Sequence, residues 1–285
     1  MNGTASTLEP FVVSDEGIGA RSECQARGDG ATGWVHSWDL SVGVDGPGAR
    51  LVVFLADCPV GCNDCAHDDQ WRREGIETSV DAVRRLVREH GTVVASAVRA
   101  FTSESGVVTA SAARGFTASG REPLQQPAFT RRMLQAARAS GLHTALDTSG
   151  FLGHRADSDL LDAADLVLLD VRAGSDACHR RVTGRALDPT LEFARRLAQR
   201  GQPTWVRYVL VPGYTDQVDE VEAFMGHMRE LDNVQRIDVV PLHEPGVLRC
   251  ERFSPAISPR STPRAIPELV DAVRARMAHA GLPVR

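Results

Sequence analysis

The chain has 285 residues, of which 42% are hydrophobic, so it can bury a core the size of one barrel domain. Its formal net charge of −5 leaves no basic footprint, and we therefore expect no nucleic-acid partner. No stretch reaches the roughly 18–20 apolar residues of a membrane span. The N-terminus also lacks the basic-then-apolar pattern of a signal peptide. These features predict a cytoplasmic protein without a membrane partner.

The chain divides into a short leader and one long region of alternating elements. Residues 1–33 are rich in Gly, Ser, Thr and acidic residues without periodicity, which predicts a flexible leader before a domain at 34–285. Short apolar or β-branched runs in that domain alternate with amphipathic stretches. The runs predict the strands Trp34–Leu40, Arg50–Ala56, Leu142–Asp147, Asp165–Val171, Trp205–Val211 and Ile237–Leu242. The amphipathic stretches predict the helices Thr78–His90, Pro127–Ser140, Pro189–Arg200, Val218–Leu231 and Pro267–Ala280.

This alternation is typical of parallel strands with helices packed on the outside. About six such units predict an α/β fold, a partial (β/α)6 barrel that is similar to a TIM barrel and has its chemistry where the strands end. Polar residues lie at or just after the ends of four of the predicted strands, namely Cys58, Asp147, Asp170 and His243. We expect them to converge on one mouth of the barrel.

Three of the six cysteines form a potential metal-binding loop. Cys58, Cys62 and Cys65 follow the second predicted strand with C-x3-C-x2-C spacing, which suits a metal site in a reducing compartment better than a disulfide framework. Three thiolates on one loop can hold three irons of a [4Fe–4S] cluster and leave the fourth iron open to a small molecule. On spacing alone, a zinc site completed by His36 or His67 remains an alternative.

A series of segments between about Trp34 and Gly246 carries a more specific resemblance. Besides the cysteine loop, they are Asp45-Gly-Pro-Gly-Ala-Arg50, Thr117-Ala-Ser-Gly-Arg-Glu-Pro123, Leu146-Asp-Thr-Ser-Gly-Phe151, Asp165-Leu-Val-Leu-Leu-Asp-Val171, Trp205-Val-Arg-Tyr-Val-Leu-Val-Pro-Gly213 and Val240-Pro-Leu-His-Glu244. In their order and approximate spacing the chain resembles the glycyl-radical-enzyme activases. These are radical S-adenosylmethionine (SAM) proteins, and the resemblance is to those that act on pyruvate formate-lyase.

The resemblance implies a fold, cofactors and partners. The fold would be the partial barrel of the radical SAM type, with one [4Fe–4S] cluster per chain held by the three cysteines. The open iron would bind SAM, and one electron from a flavodoxin or ferredoxin-type donor would cleave it. The resulting 5′-deoxyadenosyl radical would take a hydrogen from one glycine of a partner similar to pyruvate formate-lyase.

The resemblance also implies two sets of site residues. Those implied for SAM are Asp64, Cys65, Ala66, Gly120, Arg121, Asp170, Val171, Arg172 and His243. Those implied for a monovalent cation beside the SAM carboxylate are Asp147, Thr148, Leu168 and Asp170. Two carboxylates, a hydroxyl and a carbonyl are the hard oxygen ligands that such an ion prefers. Considered singly, Asp147 or Asp170 could instead cap a helix.

The chain departs from the family pattern at several positions. Gly61, Asp64 and Ala66 replace an arginine, an aromatic residue and a histidine of the family loop. Arg121 stands where the family has the second glycine of Gly-Gly-Glu. Arg172 replaces a lysine, which keeps the charge but changes the geometry.

Other functions remain open because of these departures and one further segment. Residues 92–114 are longer than in the family and carry Gly106–Ser111, a near-copy of the Thr117–Ser119 stretch. The alternatives are an activase of another glycyl-radical enzyme, an enzyme that acts on a small substrate, and a catalytically weakened homologue that binds a partner.

Overall fold

The computed structural model describes residues 29–56, 75–90, 114–241 and 267–285. Its centre is one eight-stranded sheet with the order β3-β1-β2-β4-β5-β6-β7-β8, so β3 and β8 are the edges of an open sheet. The strands are β1 (Thr32–Val42), β2 (Ala49–Leu55), β3 (Ile76–Ser79), β4 (Gly115–Gly120), β5 (His143–Thr148), β6 (Leu166–Val171), β7 (Thr204–Leu210) and β8 (Val234–Pro241).

Helices connect the strands, as the alternating sequence pattern predicts. They are α1 (80–90), α2 (Pro127–Ala139), α3 (Ser158–Asp162), α4 (Asp176–Thr183), α5 (Asp188–Gln199), α6 (Val218–Arg229) and α7 (Pro267–His279). The short α3 and α4 were not predicted, whereas the five predicted helices are confirmed, with no end shifted by more than two residues. Within the described ranges, no helix is long and apolar enough to span a bilayer.

Six neighbouring strands, β2 and β4 to β8, run parallel, and the predicted partial barrel of parallel strands is confirmed. The six parallel strands differ from the six predicted ones, however. The predicted Trp34–Leu40 strand lies within β1, which pairs antiparallel with both β2 and β3. The parallel strand that the sequence pattern did not predict is β4, because its small residues form no apolar run.

The two faces of the sheet differ in character because side chains alternate along each strand. One face packs against the helices and forms the main core, with Val53, Val167 and Val206 among its buried residues. The opposite face carries a smaller apolar cluster of Ala145, Leu166 and Leu168, with Trp205 packed against it. Continuing along the same strands, this second face becomes charged towards the carboxyl ends.

The boundary between β3 and α1 differs from the predicted one. The sequence pattern starts the helix at Thr78, but Thr78 still belongs to β3 and α1 begins at residue 80. Ser79 caps the helix instead, because its Oγ accepts a hydrogen bond of 3.2 Å from the Ala82 amide.

At the other end of the described chain, β1 begins at Thr32, two residues before the predicted start of the domain. Residues 1–28 lie outside the described residues, so the flexible leader stays a prediction.

Candidate active site

The carboxyl ends of β4, β5 and β6 lie side by side at one edge of the sheet. These strands end at Gly120, Thr148 and Val171, and they pair in parallel register. Next to them, β2 ends at Leu55 and leads into residues 57–74. The predicted convergence of Asp147 and Asp170 on one mouth therefore agrees with the sheet order, and Gly120 lies at the same edge.

Several predicted site residues lie outside the described residues. They are Cys58, Cys62, Asp64, Cys65, Ala66 and His243. Their roles, and the choice between an iron–sulfur and a zinc site, stay predictions.

The end of β2 is fixed by one buried amide side chain. The Gln126 Nε2 donates to the carbonyl of Trp34 at 3.0 Å and to that of Ala56 at 3.1 Å. The Trp34 amide donates back to Gln126 Oε1 at 2.7 Å. Gln126 thus ties β1 to the last described residue before the cysteine segment, so that segment leaves the sheet from a defined point.

Gly120 ends β4 in a conformation that only glycine adopts readily, with φ of 105°. A Cβ added there would come within 2.5 Å of the Leu55 carbonyl oxygen. The neighbouring Arg121 amide donates to that same oxygen at 3.2 Å. The glycine is therefore required by the close approach of β4 to β2, a reason that the resemblance did not give.

Glu122 joins the end of β4 to the end of β5. Its side chain is fully buried and accepts four hydrogen bonds at the two carboxylate oxygens. The Oε1 accepts from the Leu124 amide at 3.0 Å and from Thr148 Oγ1 at 2.7 Å. The Oε2 accepts from the amide of Ser149 at 3.1 Å and from its Oγ at 2.6 Å. Burial raises the pKa of Glu122, and the donated hydrogen bonds oppose that rise.

The Thr148 hydroxyl takes part in two hydrogen bonds at this junction of β4 and β5. It donates to Glu122 and accepts from the Gly150 amide at 3.0 Å. Among the described residues, no further donor is seen at the second lone pair of its oxygen.

The two carboxylates of the predicted cation site share one guanidinium group. Arg207 on β7 donates through Nη2 to Asp147 Oδ1 and through Nε to Asp170 Oδ1 at 2.6 Å. Asp147 Oδ2 accepts from Ser119 Oγ at 2.7 Å, and Asp170 Oδ2 accepts from Arg172 Nη2 at 2.7 Å. The sheet register explains the arrangement, since Asp170 pairs with Arg207 and Asp147 with Leu168.

The charges shift the pKa of the two aspartates in opposite directions. Burial raises the pKa of Asp170, but the guanidinium groups of Arg207 and Arg172 outweigh it and hold the pKa below its usual value. For Asp147, burial and the neighbouring Asp170 outweigh Arg207, and the pKa is raised. Burial lowers the pKa of Arg207, but Asp147 and Asp170 reverse this, so the pKa lies above its usual value and the group stays charged.

A second ion pair lies on the same face, one strand further along. Arg236 on β8 donates from Nε to Asp238 Oδ1 at 2.8 Å and stacks 4.3 Å from the Trp205 ring centre. Asp238 is the register partner of Arg207. The sheet face opposite the helices thus carries alternating charges across β6, β7 and β8.

The Asp45-Gly-Pro-Gly turn is held against the same face by Arg50. Arg50 Nη1 donates to the Pro47 carbonyl at 3.0 Å, and its Nε donates to Thr117 Oγ1 at 2.7 Å. Thr117 Oγ1 in turn donates to the Asp45 carbonyl at 2.7 Å. Asp45 lies near enough to raise the pKa of both Asp147 and Arg207.

Sequence reasoning missed four residues that organise this site: Arg50, Ser119, Glu122 and Arg207. All stood inside segments that carried the resemblance but received no role. A charged side chain in the middle of an otherwise apolar strand, such as Arg207 in β7, is the sequence feature that could have found one of them.

A family comparison agrees with this geometry. A model of the radical SAM superfamily matches residues 52–225, more than half of the chain. The chain is therefore a radical SAM protein.

More similar relatives define the family within this class. The pyruvate formate-lyase 1-activating enzyme of Escherichia coli (strain K12) is 36% identical over 219 residues, which span 75% of this chain and 82% of that protein. The pyruvate formate-lyase-activating enzyme of Staphylococcus aureus (strain USA300) is 33% identical over 223 residues, which span 75% and 83%. The chain belongs to the pyruvate formate-lyase-activating enzyme family, and membership implies a [4Fe–4S] cluster and SAM as cofactors.

Solved structures support the fold alone, because their sequences are distant. A radical SAM methyltransferase from Sphaerobacter thermophilus has a TM-score of 0.56 and 18% identity, over 86% of this chain and 67% of that chain. Streptococcus suis SuiB bound to the precursor peptide SuiA also has a TM-score of 0.56, with 14% identity over 82% of this chain and 48% of that chain.

Proposed function

We propose that this chain is a glycyl-radical activase that removes a hydrogen atom from one glycine of a partner similar to pyruvate formate-lyase. One observation carries the proposal: Gly120, Asp147 and Asp170 meet at the sheet edge beside the strand that leads into the cysteine segment. In a chain that is 36% identical to a named activating enzyme, this arrangement supports the same chemistry.

The cofactors supply the difficult chemistry, and the protein positions them. When bound, the cluster would supply one electron and SAM would supply the radical chemistry that removes a hydrogen atom from the glycine Cα. Cys58, Cys62 and Cys65 would hold the cluster, since three thiolates suit three irons and leave one iron for SAM.

The described residues suit SAM as a ligand. Asp170 and Arg172 lie at the end of β6, where they are joined by a 2.7 Å hydrogen bond and present a paired charge at the mouth. Together with Val171, Gly120 and Arg121 they would line the SAM site, with Asp64, Ala66 and His243 completing it. Glu122 would hold the β4 and β5 ends in register while SAM binds.

We further assign a monovalent cation to Asp147, Thr148, Leu168 and Asp170. The donor set suits such an ion because it offers two carboxylates, an available hydroxyl lone pair and a backbone carbonyl. The cation would offset the negative charge of the SAM carboxylate next to two aspartates.

The remaining partners follow from the reaction. A flavodoxin or ferredoxin-type protein would deliver the electron, and we infer no nucleic-acid or membrane partner. Three cysteines that serve as cluster ligands, and not as disulfides, would suit a reducing cytoplasm.

The decisive test is anaerobic reconstitution followed by turnover. We expect about four irons per chain by the three-cysteine scheme. We also expect broad visible absorption that dithionite bleaches, SAM cleavage to 5′-deoxyadenosine, and a glycine-centred radical on pyruvate formate-lyase by electron paramagnetic resonance. Cys58→Ala, Cys62→Ala or Cys65→Ala should abolish all of these, whereas the matched Cys24→Ala should not.

Two outcomes would contradict the proposal. Stoichiometric zinc without iron uptake would favour the structural metal site. An intact, reducible cluster that neither binds nor cleaves SAM would favour the weakened partner-binding homologue.

A further inference from the structure

All four carboxylate oxygens of Asp147 and Asp170 already accept hydrogen bonds from side chains of the described chain. Arg207 donates to one oxygen of each aspartate, while Ser119 and Arg172 donate to the other two. The guanidinium of Arg207 therefore bridges the two carboxylates to which the proposed function assigns a cation.

This bridge is a strong electrostatic contact because it is poorly solvated. The side chains of Arg207, Asp170 and Asp147 are 19%, 13% and 10% exposed. At such depth, opposite charges in hydrogen-bond contact attract far more strongly than at the surface, and two cations at the same carboxylates repel each other. A monovalent ion that approaches these oxygens must therefore displace or share the guanidinium.

We propose that Arg207 is a positioning residue that serves as the internal counter-ion of Asp147 and Asp170, and that the monovalent cation bound with SAM competes with its guanidinium for these carboxylates. The inference rests on the proposed function, because it concerns the cation and SAM sites assigned there. Without ligands, Arg207 holds both strand ends in place. When SAM brings its own carboxylate, the added negative charge favours a second cation, and binding of the ion and of SAM become coupled.

The coupling predicts a distinctive effect of removing the guanidinium. In Arg207→Met, two neighbouring carboxylates lose their counter-ion, so they should take up potassium more strongly and repel SAM when potassium is absent. In the unchanged chain, Arg207 partly replaces the ion, so SAM affinity should depend less on potassium.

The chain offers a matched control on the next strand. Arg236 has similar exposure, 17% against 19%, and is also paired with an aspartate of the same sheet face. Its partner is Asp238, and its hydrogen bond does not involve Asp147 or Asp170. Arg236→Met thus removes a comparable ion pair and leaves the contacts of Arg207 with Asp147 and Asp170 in place.

The first measurement is SAM affinity by calorimetry on anaerobically reconstituted protein, in potassium chloride and in tetramethylammonium chloride at equal ionic strength. We expect the ratio of the two affinities to rise at least tenfold in Arg207→Met relative to the unchanged chain. Arg236→Met should leave the ratio within about twofold, and Arg207→Lys, which retains the charge, should restore a ratio near that of the unchanged chain.

The second measurement needs no SAM. The thermal unfolding midpoint of the same preparations is followed against potassium concentration, because an ion that binds only the folded state raises it. The potassium-specific rise should be larger in Arg207→Met than in the unchanged chain or in Arg236→Met.

These results separate the inference from the function on which it rests. Equal potassium dependence of Arg207→Met, Arg236→Met and the unchanged chain in both measurements would overturn the competition and leave Arg207 a structural ion pair. If no preparation bound SAM in either salt, the proposed function would fail. The unfolding midpoints would then still decide whether Arg207 competes with the ion.

Discussion

At the scale of single residues, Arg50 shows how a buried charge can hold a functional turn. Its side chain is fully buried, and it donates to the carbonyls of Pro47, Phe116 and His143 as well as to Thr117 Oγ1. Burial lowers the pKa of Arg50 to about 10, although nearby aspartates oppose this, so the group is charged at neutral pH. Its hydrogen bonds connect the turn before β2 to β4 and β5.

Replacing this arginine should therefore destabilise the whole fold. Arg50→Met leaves three carbonyls and a hydroxyl without their donor. We expect a loss of about 3–5 kcal/mol in the free energy of unfolding, because each buried acceptor left unsatisfied costs about 1–3 kcal/mol. Chemical denaturation followed by circular dichroism measures it. Arg229→Met, at an exposed position of α6, should cost less than about 0.5 kcal/mol. A loss below about 1 kcal/mol for Arg50→Met would show that water replaces the lost donors, at the value of a single net hydrogen bond.

The placement of residues at the ends of predicted strands could be predicted from the sequence. Asp147 and Asp170 end strands, and that position alone predicted their meeting at one edge, which the sheet order and the Arg207 bridge now confirm. The roles of Arg207 and Glu122 were not predictable, because they depend on which strands become neighbours. A carboxylate that accepts four hydrogen bonds is recognised only once β4 and β5 are placed side by side.

At the scale of elements, β4 joins β2, the strand before the cysteine segment, to β5 and the rest of the site. The strand was missed because Gly115–Gly120 contains small residues and a single large apolar one, a pattern without the β-branched run expected for a buried strand. Small side chains are needed here for packing. A Cβ at Gly115 would overlap the Arg50 guanidinium, and one at Gly120 would overlap the Leu55 backbone.

A comparison of two glycines tests this close approach. Gly120 and Gly184 both have positive φ, 105° and 74°, but an added Cβ meets the Leu55 backbone at Gly120 and nothing within 4 Å at Gly184. Gly184→Ala should cost about 1–2 kcal/mol from conformational strain alone. Gly120→Ala should cost at least about 3 kcal/mol, because overpacking adds to the strain. Denaturation midpoints of the two variants measure the difference, and equal losses would mean that β4 can move away from β2 freely.

At the scale of the whole molecule, the main hydrophobic core and the candidate chemistry lie on the two faces of one sheet. The helix-covered face carries a core that runs from Val35 of β1 to Met277 of α7. The opposite face carries the ion pairs of Arg207 and Arg236. The periodicity of apolar residues predicted the helix-covered face well, because both the helices and the strands turn apolar side chains towards it. The meeting of Asp147 and Asp170 on the charged face was predicted, but the Arg207 bridge was not, because it depends on the register of β5, β6 and β7.

This separation predicts that the fold does not depend on the metal. The core of the described residues already runs from β1 to β8, so the variant with Cys58, Cys62 and Cys65 all changed to alanine should fold without a cluster. Its free energy of unfolding should lie within about 1 kcal/mol of that of cluster-free wild-type protein, since both keep the same core among the described residues. Equilibrium denaturation with a single cooperative transition would confirm this. A structural zinc site would behave differently, because such sites contribute folding energy directly and chelators unfold the domains that depend on them. If the triple variant failed to unfold cooperatively, or if a chelator unfolded the wild-type chain, the cysteine segment would be a structural metal site, and the open-iron chemistry proposed for it would be wrong.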